Sequence, residues 1–192
     1  MSKGTEERVF CFHEKGLVNT EKALEIALAA AKERGIGKIV VASSTGQTAL
    51  RLYDLSGDSI EIIAVTYGAG SRFKSEVEEF NRNLKKLQQR GIRIVRGINA
   101  LSGVEKSFTN KYKNDFMPLN IVADTLRMFS QGVKVCVEIT IMAAEHGFIT
   151  PDEDVIVVGG SGHGADTSLV MKPAFASDMF AIRIRSILCR PV

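Results

Sequence analysis

The sequence has few cysteines and no long apolar runs. Its three cysteines, Cys11, Cys136 and Cys189, lie far apart and form no C-x-x-C pair, so neither a disulfide framework nor a thiolate metal site is predicted. No apolar run approaches the roughly 18 residues that a membrane-spanning helix needs. The opening residues MSKGTEERVF are too polar for a secretory signal. We therefore expect a cytoplasmic protein without a membrane partner.

Several well-known motifs are also missing. The sequence contains no G-x-x-x-x-G-K-[ST] phosphate loop, which argues against a nucleoside triphosphatase of that type. Its three histidines form no H-x-x-x-H pair and join no cluster with metal-ligand spacing, so no metal is expected. The net charge of +3 comes from basic residues that are spread along the chain rather than gathered in one tract. Nucleic acid is therefore not an expected partner.

What the sequence does contain is typical of an ordinary globular protein. Hydrophobic residues make up 45% of the 192 residues and charged residues 24%. A chain of this length buries a sizeable core without disulfides or metals. We expect a single domain over residues 1–192.

Short apolar runs alternate with helical patterns along the chain. The strand candidates are Val9–His13, Lys38–Ser43, Ile60–Gly68, residues 91–97 and Asp154–Gly160, with a half-exposed strand predicted in the final FAIRI segment. Helices are predicted between them, including one that begins at Pro118 and another after Gly132. This alternation predicts parallel β-α-β units, and hence an α/β fold with helices on both faces of a central sheet.

A polar turn follows the second predicted strand and opens a helix. It comprises the candidate phosphate-binding residues Ser43, Ser44, Thr45, Gly46, Gln47 and Thr48. A helix N-terminus offers unpaired N–H groups and a partial positive charge, and hydroxyl groups add donors around an anion. We expect Gly46 to let a ligand approach closely. An ordinary helix cap would account for the same residues.

A second turn, rich in glycine, follows the strand Asp154–Gly160. Its candidate ligand-binding residues are Gly160, Ser161, Gly162, Asp166 and Thr167. The turn also fits the dinucleotide pattern G-x-G-x-x-A, but 27 residues after Ala165 are too few for the rest of a Rossmann half. Because both turns follow parallel strands, we expect them to face one cleft at the carboxyl edge of the sheet.

Several longer segments resemble a known family. They are VNTEKAL, IVVASSTGQTALRLYDL, ALSGVEKS, LRMFSQGVKVCVEITIMAAEHG, VVGGSGHGADTSLVMKPA and ILCRP. Together they resemble the stand-alone archaeal and bacterial proteins that are similar to the pyruvate kinase C-terminal domain. The resemblance implies a three-layer α/β/α domain whose mostly parallel sheet has five strands, the last of them antiparallel. It covers none of the pyruvate kinase barrel, so it implies no pyruvate kinase chemistry.

The resemblance also implies a ligand. In pyruvate kinases a related turn binds a phosphate of an allosteric sugar bisphosphate, which here corresponds to residues 43–48. The stand-alone proteins resemble acceptors of flavin mononucleotide (FMN), which we take as the expected cofactor. Thr66, at the end of a neighbouring strand, and Ser102 and Gly103, in a loop that would close over the ring, complete the candidate site. Many relatives carry a histidine where this chain reads Tyr67-Gly68-Ala69-Gly70, so no shared catalytic role is expected there.

Three functions remain open from the sequence. The first is an FMN-binding protein that acts as an oxidoreductase. The second is a non-catalytic sensor that binds a phosphorylated metabolite and changes its homo-oligomeric state. The third is a phosphate-ester enzyme with Glu105, Glu138 or Asp166 as acid or base. The sequence itself favours a surface salt bridge between Glu138 and Lys134, one helical turn apart.

Residues 97–117 contain three lysines, three asparagines and two glycines without a convincing period. We predict that residues 102–113 are mobile in the ligand-free protein, because few apolar side chains anchor them. Amide hydrogen exchange measured by mass spectrometry should therefore be faster there than in the predicted strands. Uniformly slow exchange across this segment would contradict its predicted mobility.

Overall fold

A computed structural model describes residue 4, residues 6–113 and residues 116–192. The strands are β1 (Phe10–Phe12), β2 (Lys38–Ala42), β3 (Glu61–Tyr67), β4 (Arg93–Gly97), β5 (Val155–Gly159), β6 (Thr167–Lys172) and β7 (Arg183–Pro191). The α-helices are α1 (Thr20–Arg34), α2 (Gln47–Ser56), α3 (Lys74–Gln89), α4 (Glu105–Tyr112), α5 (Pro118–Arg127) and α6 (Gln131–Glu145). Short 3-10 helices span Leu17–Asn19, Gly57–Ser59 and Ala176–Ala181.

The described strands form one mixed sheet in the order β1-β7-β6-β5-β2-β3-β4. Strands β5, β2, β3 and β4 are mutually parallel, whereas β6 pairs antiparallel with both of its neighbours. The prediction of an α/β fold with a mostly parallel sheet is confirmed. The prediction of five strands is wrong, because the described residues form a sheet of seven.

The prediction that the last strand is the antiparallel one is also wrong. Strand β6 is reversed, and β7, which pairs antiparallel with it, runs in the direction of the parallel strands. Strand β6 follows β5 after the short glycine-rich turn, without a crossover helix. Its apolar run is only Leu169–Met171, after the polar Thr167 and Ser168, so it was not recognised from the sequence.

Helices cover both faces of the sheet. One core packs α1, α2 and α3 against strand residues such as Ile39 and Val41. The other packs α5 and α6 against the opposite face, where Val40 and Ile63 point. Successive strand residues serve different cores because side chains of a strand alternate between faces. The alternation explains why the central strands read as continuous apolar runs.

The segment 97–117 contains a helix that the sequence did not reveal. Helix α4 exposes most of its residues, including Phe108 and Tyr112, so no buried stripe marks it in the sequence. Asn114 and Asp115 of this segment lie outside the described residues. Pro118 begins α5, as predicted. Helix α6 begins at Gln131, so Gly132 lies inside it, and the break between the two helices falls at residues 128–130 instead of at Gly132.

Two further features of the described residues bear on partners and ligands. None of their helices is both long and apolar enough to cross a lipid bilayer. Nor do the described His, Cys, Asp and Glu residues form a group of three or more that could hold a metal ion.

The glycine-rich turn between β5 and β6 is fixed by the fully buried carboxylate of Asp166. One of its oxygens accepts hydrogen bonds from the backbone N–H groups of Gly16 at 2.8 Å and Ser161 at 3.1 Å. The other accepts from the Thr167 hydroxyl at 2.8 Å. Thr20 adds a hydroxyl acceptor for the Ala165 N–H. The carboxylate thus joins the turn to the chain that precedes α1.

We predict that Asp166→Ala lowers the free energy of unfolding by about 3 kcal/mol, because it leaves buried donors without their charged acceptor. Urea denaturation followed by circular dichroism measures the change. Asp152→Ala, at an exposed turn, is the matched control and should change stability by less than about 0.5 kcal/mol. Equal stability of the two variants would contradict a structural role for Asp166.

We predict that Cys11 alone reacts with a thiol reagent in the native protein. Cys11 is exposed, whereas Cys136 and Cys189 are buried. Burial raises the pKa of Cys189 to about 12 and the pKa of Cys136 well above its usual value, so both thiols stay neutral at mildly alkaline pH. Titration with dithiobisnitrobenzoate should count one thiol in the native protein and three after denaturation. A second fast-reacting native thiol would contradict this arrangement.

Candidate functional site

A cavity of about 520 Å³ opens at the carboxyl ends of β5, β2 and β3. These three strands are neighbours in the sheet and run parallel. The cavity volume lies within the range of about 300–1,000 Å³ that is typical of small-molecule sites. Both polar turns contribute to its wall, with Ser44 and Thr48 from one and Gly160 and Gly162 from the other. The expectation that the two turns face one cleft is confirmed.

The carbonyl groups of the turn after β2 are engaged in hydrogen bonds within the protein. The Ser43 oxygen accepts from the Gly46 N–H at 3.3 Å, and the Ser44 oxygen accepts from the Thr66 hydroxyl at 3.2 Å. The Thr45 oxygen accepts from the Asn83 amide at 2.9 Å. Because these acceptors are engaged, the turn presents hydroxyl groups and the positive end of α2 to the cavity. Such a surface favours an anion.

Two of the predicted phosphate-binding side chains cap the helix. The Ser43 hydroxyl accepts from the Ala49 N–H at 3.2 Å, and the Thr45 hydroxyl accepts from the Gln47 N–H at 3.4 Å. Ser44 and Thr48 line the cavity. Of the hydroxyl groups in this turn, those of Ser44 and Thr48 are therefore best placed to contact a ligand.

Gly46 has a packing role in the structure. Its φ of 87° lies in the left-handed region, and a Cβ atom there would meet Leu87 at 3.1 Å and Asn83 at 3.3 Å, both on α3. The requirement for glycine therefore follows from the backbone conformation and from the approach of α3. The close approach to Gly46 is made by α3, whereas the sequence had led us to expect a ligand there.

The glycines of the second turn also have reasons within the protein. A Cβ atom at Gly160 would collide with the Gly164 carbonyl, and one at Gly164 would collide with the Thr20 hydroxyl. Gly162 faces open space but has a φ of 91°. Close packing and backbone conformation thus account for these glycines, whether or not a ligand contacts the turn.

The cavity brings together half of the predicted site residues. Those on its wall are Ser43, Ser44, Thr48, Thr66, Ser102, Gly160 and Gly162. Those behind the wall or beside it are Thr45, Gly46, Gln47, Gly103, Ser161, Asp166 and Thr167. Asp166 is committed to the hydrogen bonds that fix the glycine-rich turn, which leaves it poorly placed as an acid or base. Gly103 lies in a tight turn and donates its N–H to the Asn99 carbonyl at 2.8 Å.

The described residues on the wall include four cationic side chains that the sequence did not single out as ligand-binding. They are Arg72, Lys106, Arg127 and Lys134. Arg127 also donates to Asp124 and to Gln131, which orients its guanidinium group beside the first turn of α6. This excess of positive charge over the single carboxylate of Glu138 favours an anionic ligand.

An aromatic pair borders the same cavity. The rings of Tyr67 and Phe73 stack with centroids 5.1 Å apart and planes inclined by 23°. The Arg72 guanidinium lies over the Phe73 ring at 4.9 Å from its centroid. Burial, followed by the nearby charges of Glu76 and Glu138, raises the pKa of Tyr67, so this phenol stays neutral at physiological pH. Two aromatic side chains therefore border the cavity beside the cationic Arg72.

Lys134 and Glu138 form a salt bridge of 2.6 Å, as their spacing on α6 predicts. The prediction that the pair lies on the helix surface is wrong. The two residues are 4% and 5% exposed, and both line the cavity. Helix α6 packs across the sheet and under the loop after β4, so even its charged positions are covered. The signal available in the sequence was the presence of two charges in an otherwise apolar helix.

One solved structure that resembles the chain is an NH3-dependent NAD synthetase from Campylobacter jejuni subsp. jejuni NCTC 11168, in complex with the nitrate ion. The sequences are 13% identical with a TM-score of 0.40, and the match covers 74% of this chain. The chain spans 55% of the length of that protein. Likeness at this level supports no inference about the site.

A family match covers most of the chain. Residues 21–171 match the family described as pyruvate kinase, alpha/beta domain. The matched region runs from the start of α1 to the end of β6 and so includes β2, β3, β5 and both polar turns of the cavity. The chain therefore belongs to the pyruvate kinase alpha/beta domain family.

Proposed function

We propose that the protein binds a small ligand with a phosphate monoester in the cavity at the carboxyl edge of the sheet, and that this ligand is FMN. The observation that carries the proposal is the set of residues that line the cavity. It combines the Ser44 and Thr48 hydroxyls at the start of α2 with the cationic side chains of Arg72 and Lys106. Hydroxyl donors, a helix N-terminus and cations are the groups that bind phosphate in proteins.

The aromatic and apolar residues that line the cavity fit the ring end of a flavin. The stacked pair of Tyr67 and Phe73 offers a flat surface for a planar ring system. Val65, Ile139 and Met142 add apolar contacts around the cavity. Ser44 and Thr48 would hold the phosphate, and the aromatic pair would lie beside the ring. When bound, FMN supplies hydride and single-electron transfer, which is the chemistry of an oxidoreductase.

The side chains of the protein have definite tasks in this proposal. Thr48 donates its hydroxyl hydrogen to a phosphate oxygen, and the dipole of α2 stabilises the phosphate charge. Lys106, on α4, and Arg72, on the loop after β3, offset the charge of the phosphate from the cavity lining. Apolar side chains exclude water from the ring.

A second candidate function is a non-catalytic sensor of a phosphorylated metabolite. Helix α4 favours it, because it lines the cavity with Lys106 and Thr109 while it exposes Phe108 and Tyr112 to solvent. A ligand that fixes α4 would also fix an exposed apolar surface, which suits a change of assembly. Sedimentation velocity with and without FMN separates the candidates: a ligand-dependent change in oligomer size favours the sensor.

We predict that Thr48→Asp weakens FMN binding by roughly 2 kcal/mol or more, about 30-fold, because it replaces a donor by an anion beside the phosphate. Flavin fluorescence titration of the untagged protein measures the affinity. The matched control is Gln47→Asp, which adds the same charge to the first turn of α2 at an exposed position beside the wall. Both substitutions suit the helix dipole, so thermal melts should show folded proteins.

Riboflavin, which lacks the phosphate, provides the second comparison. Its affinity should be nearly the same in the native protein and in Thr48→Asp. If folded Thr48→Asp binds FMN as well as the native protein does, the phosphate does not lie at this turn. If the native protein binds no flavin, FMN is the wrong ligand, and phosphorylated metabolites become the candidates.

A further inference from the structure

The buried pair formed by Lys134 and Glu138 has a contact pattern that a simple surface salt bridge would lack. One Glu138 oxygen accepts from Lys134 Nζ at 2.6 Å. The other accepts from the backbone N–H of Leu101 at 3.1 Å, in the loop after β4. Leu101 is itself fully buried, so this loop has a fixed anchor. The carboxylate is thus held from two sides and in turn fixes the position of the ammonium group.

A contribution to folding stability alone does not explain why a salt bridge is buried here. The transfer of two charged groups from water into the protein interior is unfavourable, and apolar residues of similar size often fill a core equally well. Here the two charges lie in α6 among buried residues such as Val133, Cys136 and Val137. They also line the cavity. A lysine ammonium carries three N–H donors, of which Glu138 engages one.

The pair and the phosphate turn belong to opposite sides of the sheet. Helix α2 packs in one core through Ala49 and Leu52, whereas α6 packs in the other through Val133 and Ile141. The cavity at the sheet edge is lined from both sides. Thr48 and Lys134 line the same cavity, so a ligand whose phosphate lies at α2 can extend across the sheet edge toward α6.

We propose that Lys134 recognises the end of the ligand that is remote from the phosphate, and that Glu138 is a positioning residue that holds the Lys134 ammonium in place. This proposal rests on the phosphate site at α2. It assigns the ligand to a narrower chemical class, namely phosphate monoesters whose other end carries a carbonyl oxygen or a carboxylate. FMN belongs to this class through the carbonyl groups of its ring.

The test measures how protein variants bind FMN and riboflavin, which lacks the phosphate end. Fluorescence titrations compare FMN and riboflavin on the native protein, Thr48→Asp and Lys134→Met. Lys134→Met should weaken both flavins by the same factor, roughly tenfold or more, because both keep the carbonyl groups. Thr48→Asp should weaken FMN alone. If Lys134→Met weakens FMN alone, or neither flavin, the proposal is wrong.

A second pair of ligands tests the role of Lys134 without assuming that the ligand is a flavin. If the native protein binds no measurable riboflavin, calorimetry with 3-phosphoglycerate and glycerol 3-phosphate decides. These molecules share the phosphate and differ in a remote carboxylate. The native protein should prefer 3-phosphoglycerate, and Lys134→Met should lose this preference. An unchanged preference, or no binding of either ester, overturns the proposal, whereas failure of the flavins alone overturns only FMN.

Three further variants separate ligand recognition from folding. Lys134→Met leaves Glu138 buried without its cation, so the double variant Lys134→Met/Glu138→Gln is prepared in parallel. Gln at position 138 keeps an acceptor for the Leu101 N–H. The double variant should fold and show the ligand profile of Lys134→Met. Lys134→Arg should recover part of the affinity. Glu138→Gln should weaken both flavins in the native background and should weaken neither further in the Lys134→Met background, a pattern that a loss of general stability would not produce.

Discussion

The parallel register of β5, β2 and β3 is the constraint on which the rest of the site depends. Val41 lies beside Val158 of β5, and Ala42 lies beside Val65 of β3. The chain therefore leaves all three strands at nearly the same level. Each exit carries a short polar segment, and the three segments meet over the sheet edge. A shift of one residue in any strand would turn its core side chains to the wrong face, so packing on both sides maintains the alignment.

The charges around this edge follow a consistent pattern. Backbone carbonyl groups of the turn after β2 are engaged inside the protein, while hydroxyl groups, the start of α2 and several cations border the cavity. Glu138, the carboxylate among the described lining residues, is neutralised by Lys134 and by the Leu101 N–H. An anionic ligand would meet little repulsion there, and the low dielectric of a partly buried cavity strengthens its attraction to the cations.

The sequence predicted those features that local patterns encode. Unbroken apolar runs indicated β2, β3 and β5, and the hydroxyl-rich segment between β2 and α2 indicated the wall formed by Ser44 and Thr48. Strand β6 was missed because only Leu169–Met171 form an apolar run in it and because it follows a turn instead of a helix. Arg72 and Lys106 come from segments without a periodic pattern, so only the folded chain brings them together. The packing role of Gly46 was not foreseen, because a glycine that admits a helix and one that admits a ligand look alike in a sequence.

The central claim is that a phosphate monoester binds between the start of α2 and the cationic wall. A crystal structure of the protein with FMN tests it most directly. We predict density for the phosphate within hydrogen-bond distance of the Ser44 and Thr48 hydroxyls, with the ring near Tyr67 and Phe73. Density for FMN elsewhere on the protein, or a phosphate directed away from α2 within this cavity, would contradict the account.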